Sequence, residues 1–290
     1  GLVICLIGSK SKAGLIGLII GLFCIVIFFR KYIFKNKKIV IPVIGVGFLF
    51  VFAFTVINFN SIKSVINNTF KIEKINPPLQ NVKTGDKLIL TYNNNDIEID
   101  LKEIDSNISL VVRDRNGKEV PYTTNNETGM YVITDENFSG IQIAPYYFEN
   151  IFCVQVNIDG KNWIFSNQLG DNTYYYLNYY GKFDKVVDAK SSIFTGYETL
   201  ATGRGYIWSR SIPLLKNNIL LGSGADSFTM EFPQQDYVGK MNFGFEGQIV
   251  TKPHCLYLQV GIQSGVISLI VFLVFYIMYF ISSIRLYFVG

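Results

Sequence analysis

The chain has 290 residues, 49% of them hydrophobic and 15% aromatic, with a formal net charge of +4. A soluble domain rarely has this composition, and the apolar excess is concentrated at the two ends. A lone histidine excludes a histidine-rich metal site, and four cysteines without Cys-x-x-C or Cys/His zinc spacing read as free thiols, so neither metal nor cofactor is expected.

The first apolar stretch, Gly1–Ile7, is too short to span a bilayer and reads as the end of a helix, which makes the chain a fragment of a larger membrane protein. Two longer runs follow, giving helices over about 14–29 and 39–59, so residues 1–60 form a transmembrane region. Between them lie Arg30, Lys31, Lys35, Lys37 and Lys38, and basic residues in a short loop mark the cytoplasmic side. Residues 61–261 are then extracytoplasmic, and the uncharged run Gly265–Ile284 returns the chain inward within a final transmembrane segment, 262–286. Lys10 and Lys12 fall at the outer end of a membrane helix, the side basic residues tend to avoid. They are either a snorkelling pair or a cationic site for a lipid-linked phosphate.

After a linker, 61–75, the region 76–190 is rich in Asn, Asp, Tyr and alternating β-formers. Asn107–Arg113 and Glu119–Thr123 flank an Asn-Gly turn, Phe152–Ile158 and Asn162–Ser166 flank Asp159-Gly160, and Met130–Thr134 and Gly140–Ala144 read as further strands. This is expected to be a small β-sandwich-like accessory domain, and Glu98 and Asp100 on it read as a solvated face. Residues 191–261 change texture. Apolar positions at Ile207, Trp208, Ile212, Leu214 and Leu215 predict an amphipathic helix capped by Thr202 or Gly203 and limited by Pro213. The fold class is therefore a polytopic α-helical membrane protein with a large extracytoplasmic segment that contains an inserted β-domain.

Four features could carry chemistry. His254, near the start of the terminal helix, is either a hydrogen-bonded interfacial histidine or a general base, and a helix N-terminus would favour its neutral form. Arg204 is either a surface arginine or a fork for diphosphate oxygens, helped by free helix N–H groups. Arg210, six residues on, is expected to point elsewhere on the helix. Gly222-Ser-Gly224-Ala-Asp226 lacks the Lys-Ser/Thr ending of a nucleotide loop and reads as a structural turn.

Three blocks resemble the O-antigen ligase/polymerase superfamily of bacterial membrane glycosyltransferases. Ser11-Lys12-Ala-Gly-Leu-Ile16 resembles its Ser-Arg-x-x-x-Leu block; Gly203-Arg204-Gly-Tyr-Ile-Trp208 with Leu221-Gly222-Ser-Gly224 resembles Gly-Arg-x-x-x-Trp then Leu-Gly-x-Gly; and His254-Cys255-Leu-Tyr-Leu258, with Gly265 beyond, resembles His-Asn-x-x-Leu. The texture is closest to Gram-positive, Clostridium-like members. Lys12 stands where the family usually has arginine, and Cys255 where asparagine usually follows the histidine. The resemblance implies a GT-C-like enzyme of the cytoplasmic membrane that moves a glycan from undecaprenyl diphosphate to a hydroxyl of a glycan or lipid acceptor. His254 would be the base, and Arg204, Lys12 and Lys10 the diphosphate ligands, with no metal and no nucleic acid. Two other classes compete: a membrane receptor or sensor whose β-domain binds a ligand, and a structural envelope protein.

Overall fold

The structure is a computed structural model that describes residues 12–30, 35, 42, 74–104 and 107–288. It comprises two units, residues 1–73 and 74–290. In the first, helix α1 (Lys12–Phe28) follows from an uninterrupted apolar sequence. Its Ile20, Leu22, Phe23 and Ile25 are exposed. Residues 1–7 and the expected helix 39–59, apart from Pro42, lie outside the described residues.

The second unit begins with an antiparallel meander of β1 (Leu79–Thr84), β2 (Leu88–Tyr92), β3 (Asn95–Ile104) and β4 (Asn107–Asp114). Alternation drives it: Leu88, Leu90, Ile97, Ile99 and Leu101 are buried, which places one face of each strand inward. Asn93 and Asn94, both with positive φ (47° and 63°), supply the turn between β2 and β3, the conformation a two-residue hairpin requires.

A seven-stranded antiparallel sheet follows: β5 (Tyr122–Thr124), β6 (Tyr131–Ile133), β7 (Ile141–Phe148), β8 (Ile151–Ile158), β9 (Lys161–Ser166), β10 (Tyr175–Leu177) and β11 (Phe183–Asp184). Its strands run in sequence order across the sheet. Asp159 and Gly160 join β8 to β9 with φ of 51° and 81°, and Val156 faces Trp163 across the ladder. Residues of both sheets, among them Leu88, Ile99, Ile143, Val156 and Trp163, share one buried cluster. The hairpin expected around Asn116-Gly117 is reduced to a turn. Only Arg113 and Glu119 bridge, after which the chain leaves for the second sheet as β5.

Helices α2 (Arg204–Ser211), α3 (Phe228–Glu231), α4 (Tyr237–Phe243), α5 (Leu256–Gln263) and α6 (Val266–Phe288) complete the unit, with a 3-10 segment at Ile212–Asn217. Tyr206, Ile207, Phe228, Phe232, Val250 and Ile262 form a second, smaller core. Gly265, at φ 97°, breaks α5 from α6. His254 therefore precedes a short helix rather than opening the membrane-length one. The turn after Asn218 is sewn to this break: Ser223 N donates to Ile262 O (2.8 Å), Gly224 N to Gln263 O (3.0 Å), Val266 N to Asn218 O (3.1 Å) and Ile267 N to Ile219 O (3.2 Å). The backbones approach so closely that a Cβ on Gly222 would overlap the Gln263 carbonyl, and one on Gly265 the Leu220 carbonyl.

These observations overturn the expected polytopic helical fold. Two antiparallel sheets of four and seven strands dominate residues 79–184. One helix among them, Val266–Tyr287, is long and apolar enough to cross a membrane. The apolar runs at the ends dominated the composition, whereas period-two alternation between Leu79 and Asp184 determines most of the architecture.

Candidate active site

Helix α2 starts from an unusual backbone. Ala201, Thr202 and Gly203 all have positive φ (53°, 60° and 88°). For β-branched Thr202 this is a true outlier. The reversal is held by Gly203 N to Thr199 O (3.2 Å), Gly205 N to Leu200 O (3.0 Å) and Tyr206 N to Glu198 O (2.8 Å). Those carbonyls occupy the N–H groups of Gly205 and Tyr206, so an anion would meet the Arg204 side chain rather than free helix-end donors.

Arg204 and Trp208 are four residues apart and share a helix face. The indole Nε1 of Trp208 donates to the carbonyl of Pro253 at 3.0 Å. This bond ties the segment bearing His254 to α2, and Gln234 holds the same segment through Val250 N and O. Phe194 backs the indole, ring centroids 5.3 Å apart. Arg204 is exposed and has no carboxylate partner among the described residues, in contrast to Arg210.

His254 sits in the left-handed region (φ 50°), a strained position of the kind that concentrates at functional sites. The residue is exposed. What burial the imidazole has, then the charges of Arg204 and Lys252, push its pKa below the ordinary value. Burial first, and the two cations second, thus favour the neutral, proton-accepting form. Lys252 was not singled out from the sequence, although it stands two residues before the histidine.

Arg210 lies about 240° round the helix from Arg204 and faces the protein interior. Its Nε donates to Asp236 Oδ2 (2.9 Å) and an Nη to Glu198 Oε1 (3.0 Å). The guanidinium also lies over the Tyr206 ring, 4.9 Å from its centroid. Tyr206 Oη donates to the same Asp236 oxygen (3.1 Å), and Asp236 caps α4 by accepting from Gly239 N (3.0 Å). This is a buried structural cluster.

Cys255 is the N-cap of α5 and makes no side-chain capping bond. Asparagine, the family's usual residue here, is among the best caps, because its side-chain oxygen accepts from the first-turn N–H groups. Cys255→Asn is expected to stabilise the protein by about 1 kcal/mol, read as a rise in thermal midpoint. Gly222 and Gly224 both belong to the sewn turn described above, though a Cβ on Gly224, unlike one on Gly222, would meet open space. Lys10 lies outside the described residues; Lys12 opens α1, but its side chain lies outside them too.

Residues 155–273 match the O-antigen ligase family model. The match runs from within β8 into α6 and contains Arg204, Trp208, Gly222, Gly224, His254 and Cys255. It bears out the resemblance read from the sequence and is consistent with an O-antigen ligase family protein. That family is one of membrane-associated, ligase- or polymerase-like glycosyltransferases of polysaccharide assembly. No curated protein and no solved structure matches the chain.

Proposed function

We propose, from an O-antigen ligase domain over residues 155–273, that this protein transfers a glycan from undecaprenyl diphosphate to an acceptor hydroxyl at the outer face of the cytoplasmic membrane. The observation that supports the reading is the Trp208–Pro253 hydrogen bond, which ties the segment before His254 to the helix that carries Arg204, whose charge helps to lower the His254 pKa.

In the reaction the acceptor oxygen attacks the anomeric carbon of the donor sugar. The bond from that carbon to the diphosphate oxygen breaks, and its electron pair leaves with the lipid diphosphate. The acceptor proton passes to the His254 imidazole. Charge grows on the departing oxygen, where Arg204 can form charge-assisted hydrogen bonds that strengthen as the bond breaks. A diphosphate leaves without protonation, so one base and one fixed cation divide the work between them. Gly203 and Gly205 position the arginine, and Trp208 positions the histidine.

The test is a pH profile of transfer by the purified protein with an undecaprenyl-diphosphate-linked glycan, comparing wild type with Arg204→Gln. Arg204 now depresses the His254 pKa, so its removal raises that pKa. The acid limb of the rate profile should then move to higher pH, alongside a loss of roughly 10²-fold in maximal rate. An acid limb that stays in place, or moves to lower pH, would show that the two residues do not share a site.

A further inference from the structure

The turn between β10 and β11 reads Asn178-Tyr-Tyr-Gly-Lys182, and nothing in the transfer chemistry uses its two tyrosines. Asn178 Oδ1 accepts from Tyr180 N (2.9 Å) and Lys182 N (3.1 Å), which fixes the turn and directs both rings outward. Across from it runs the Gly244–Gln248 loop, which leaves α4 through left-handed Gly244. Lys240 Nζ, itself buried, donates to Gln248 O (2.9 Å), and Phe245 N donates to Lys240 O (2.8 Å). Both walls of the resulting cleft are therefore held by hydrogen bonds of their own.

The two walls meet at Gly247. The Tyr179 ring lies so close over it that an added Cβ would come within 2.9 Å of the ring carbons, and Tyr180 Oη donates to the Gly247 carbonyl at 2.9 Å. One face of Tyr179 is thus backed by peptide while the residue remains 73% exposed; Tyr180 is 56% exposed. The rings stand at 88° with centroids 5.9 Å apart. Beside them Glu246 is exposed and has no hydrogen-bond partner among the described residues. The cleft also includes Tyr176, Asn178 and Gln248.

We propose that the exposed face of Tyr179, at the mouth of this cleft, is a glycan subsite on which a sugar ring stacks while Glu246 accepts hydrogen bonds from its hydroxyls. The electron-rich face of a tyrosine attracts the polarised C–H face of a pyranose, as it does the positive edge of another ring. A flanking carboxylate and amides supply directional acceptors and donors. A peptide partner is less well matched, because the cleft offers single aromatic faces ringed by polar groups rather than a continuous apolar groove. Gly247 is seven residues from His254, so the two lie within about 25 Å along the chain. An oligosaccharide can bridge that span. The assignment rests on the glycan-transfer reading and adds a second grip on the polymer, away from the reacting end.

The experiment measures calorimetric binding, to the full-length protein in nanodiscs, of oligosaccharides made by partial hydrolysis of the producing cell's envelope polysaccharide. Tyr179→Ala should weaken binding roughly tenfold, the loss of one stacking contact, and Glu246→Gln should also weaken it. Tyr179→Phe keeps the ring and should bind within about twofold of wild type, which separates stacking from misfolding. Wild-type affinity in Tyr179→Ala, or no binding by the wild type, overturns the subsite. The catalytic reading is tested separately, by the transfer activity of His254→Asn, which lacks the basic nitrogen. If that variant transfers normally, the catalytic reading fails while the binding result stands, so the two failures are distinguishable.

Discussion

Alanine at His254 is expected to cut glycan transfer by roughly 10²–10⁴-fold, the contribution a positioned general base ordinarily makes. The residue is the single histidine of the chain, so no neighbouring imidazole can substitute. Its left-handed φ of 50° complicates alanine, which tolerates that region poorly, so a companion variant is needed. Asn tolerates left-handed backbone and lacks a basic nitrogen. His254→Asn should therefore keep the wild-type melting temperature and lose transfer as fully as alanine does. Radiolabelled transfer from a lipid-linked donor, with thermal unfolding in parallel, reads both. Substantial transfer by His254→Asn would remove the base assignment.

The second large effect concerns stability. Arg210→Ala leaves Glu198 and Asp236, each 4% exposed, buried without their shared cation. Breaking a buried pair in this way typically costs about 3–5 kcal/mol, a large part of the margin of an ordinary domain. The damage spreads because Asp236 also caps α4 and accepts from Tyr206. The expected result is a strongly lowered unfolding temperature and poor accumulation in membranes. Arg210→Lys should recover part of the loss, since it keeps the charge but not the fork that reaches both carboxylates. A variant with wild-type stability and lost transfer would instead make Arg210 a participant in the reaction.

The sequence carried unequal amounts of this. Asp159-Gly160 announced the β8–β9 hairpin because positive φ at both turn positions has a short list of tolerant residues. The same chemistry at Asn93-Asn94 marks the β2–β3 turn, and the alternation Leu88, Leu90, Ile97, Ile99 marks its strands. The Asn116-Gly117 turn misled in the other direction, since turn residues specify a reversal and not the length of pairing that follows. The polytopic reading erred by letting the apolar ends speak for the whole chain. At the candidate site, Gly203-Arg204 and Pro253-His254 were visible as motifs, whereas their juxtaposition depends on contacts between distant segments, among them an indole-to-carbonyl bond across 45 residues. No local pattern encodes such a contact. The distinction between Arg204 and Arg210 was partly legible, because six residues along a helix turn a side chain to another face.

The sewn contact between the Gly222 turn and the α5–α6 break has a mechanical meaning. Four backbone hydrogen bonds tie residues 218–224 to residues 262–267, and the last of these belong to the first turn of the 22-residue span Val266–Tyr287. A helix of that length is about 33 Å long, close to the ~30 Å of a bilayer's hydrocarbon core. The turn and the head of α6 are therefore one backbone unit, and α5, whose N-cap follows His254 directly, ends in it at Gln263. Because these ties join main-chain atoms, side-chain exchange leaves them in place except where a Cβ would intrude, at Gly222 and Gly265.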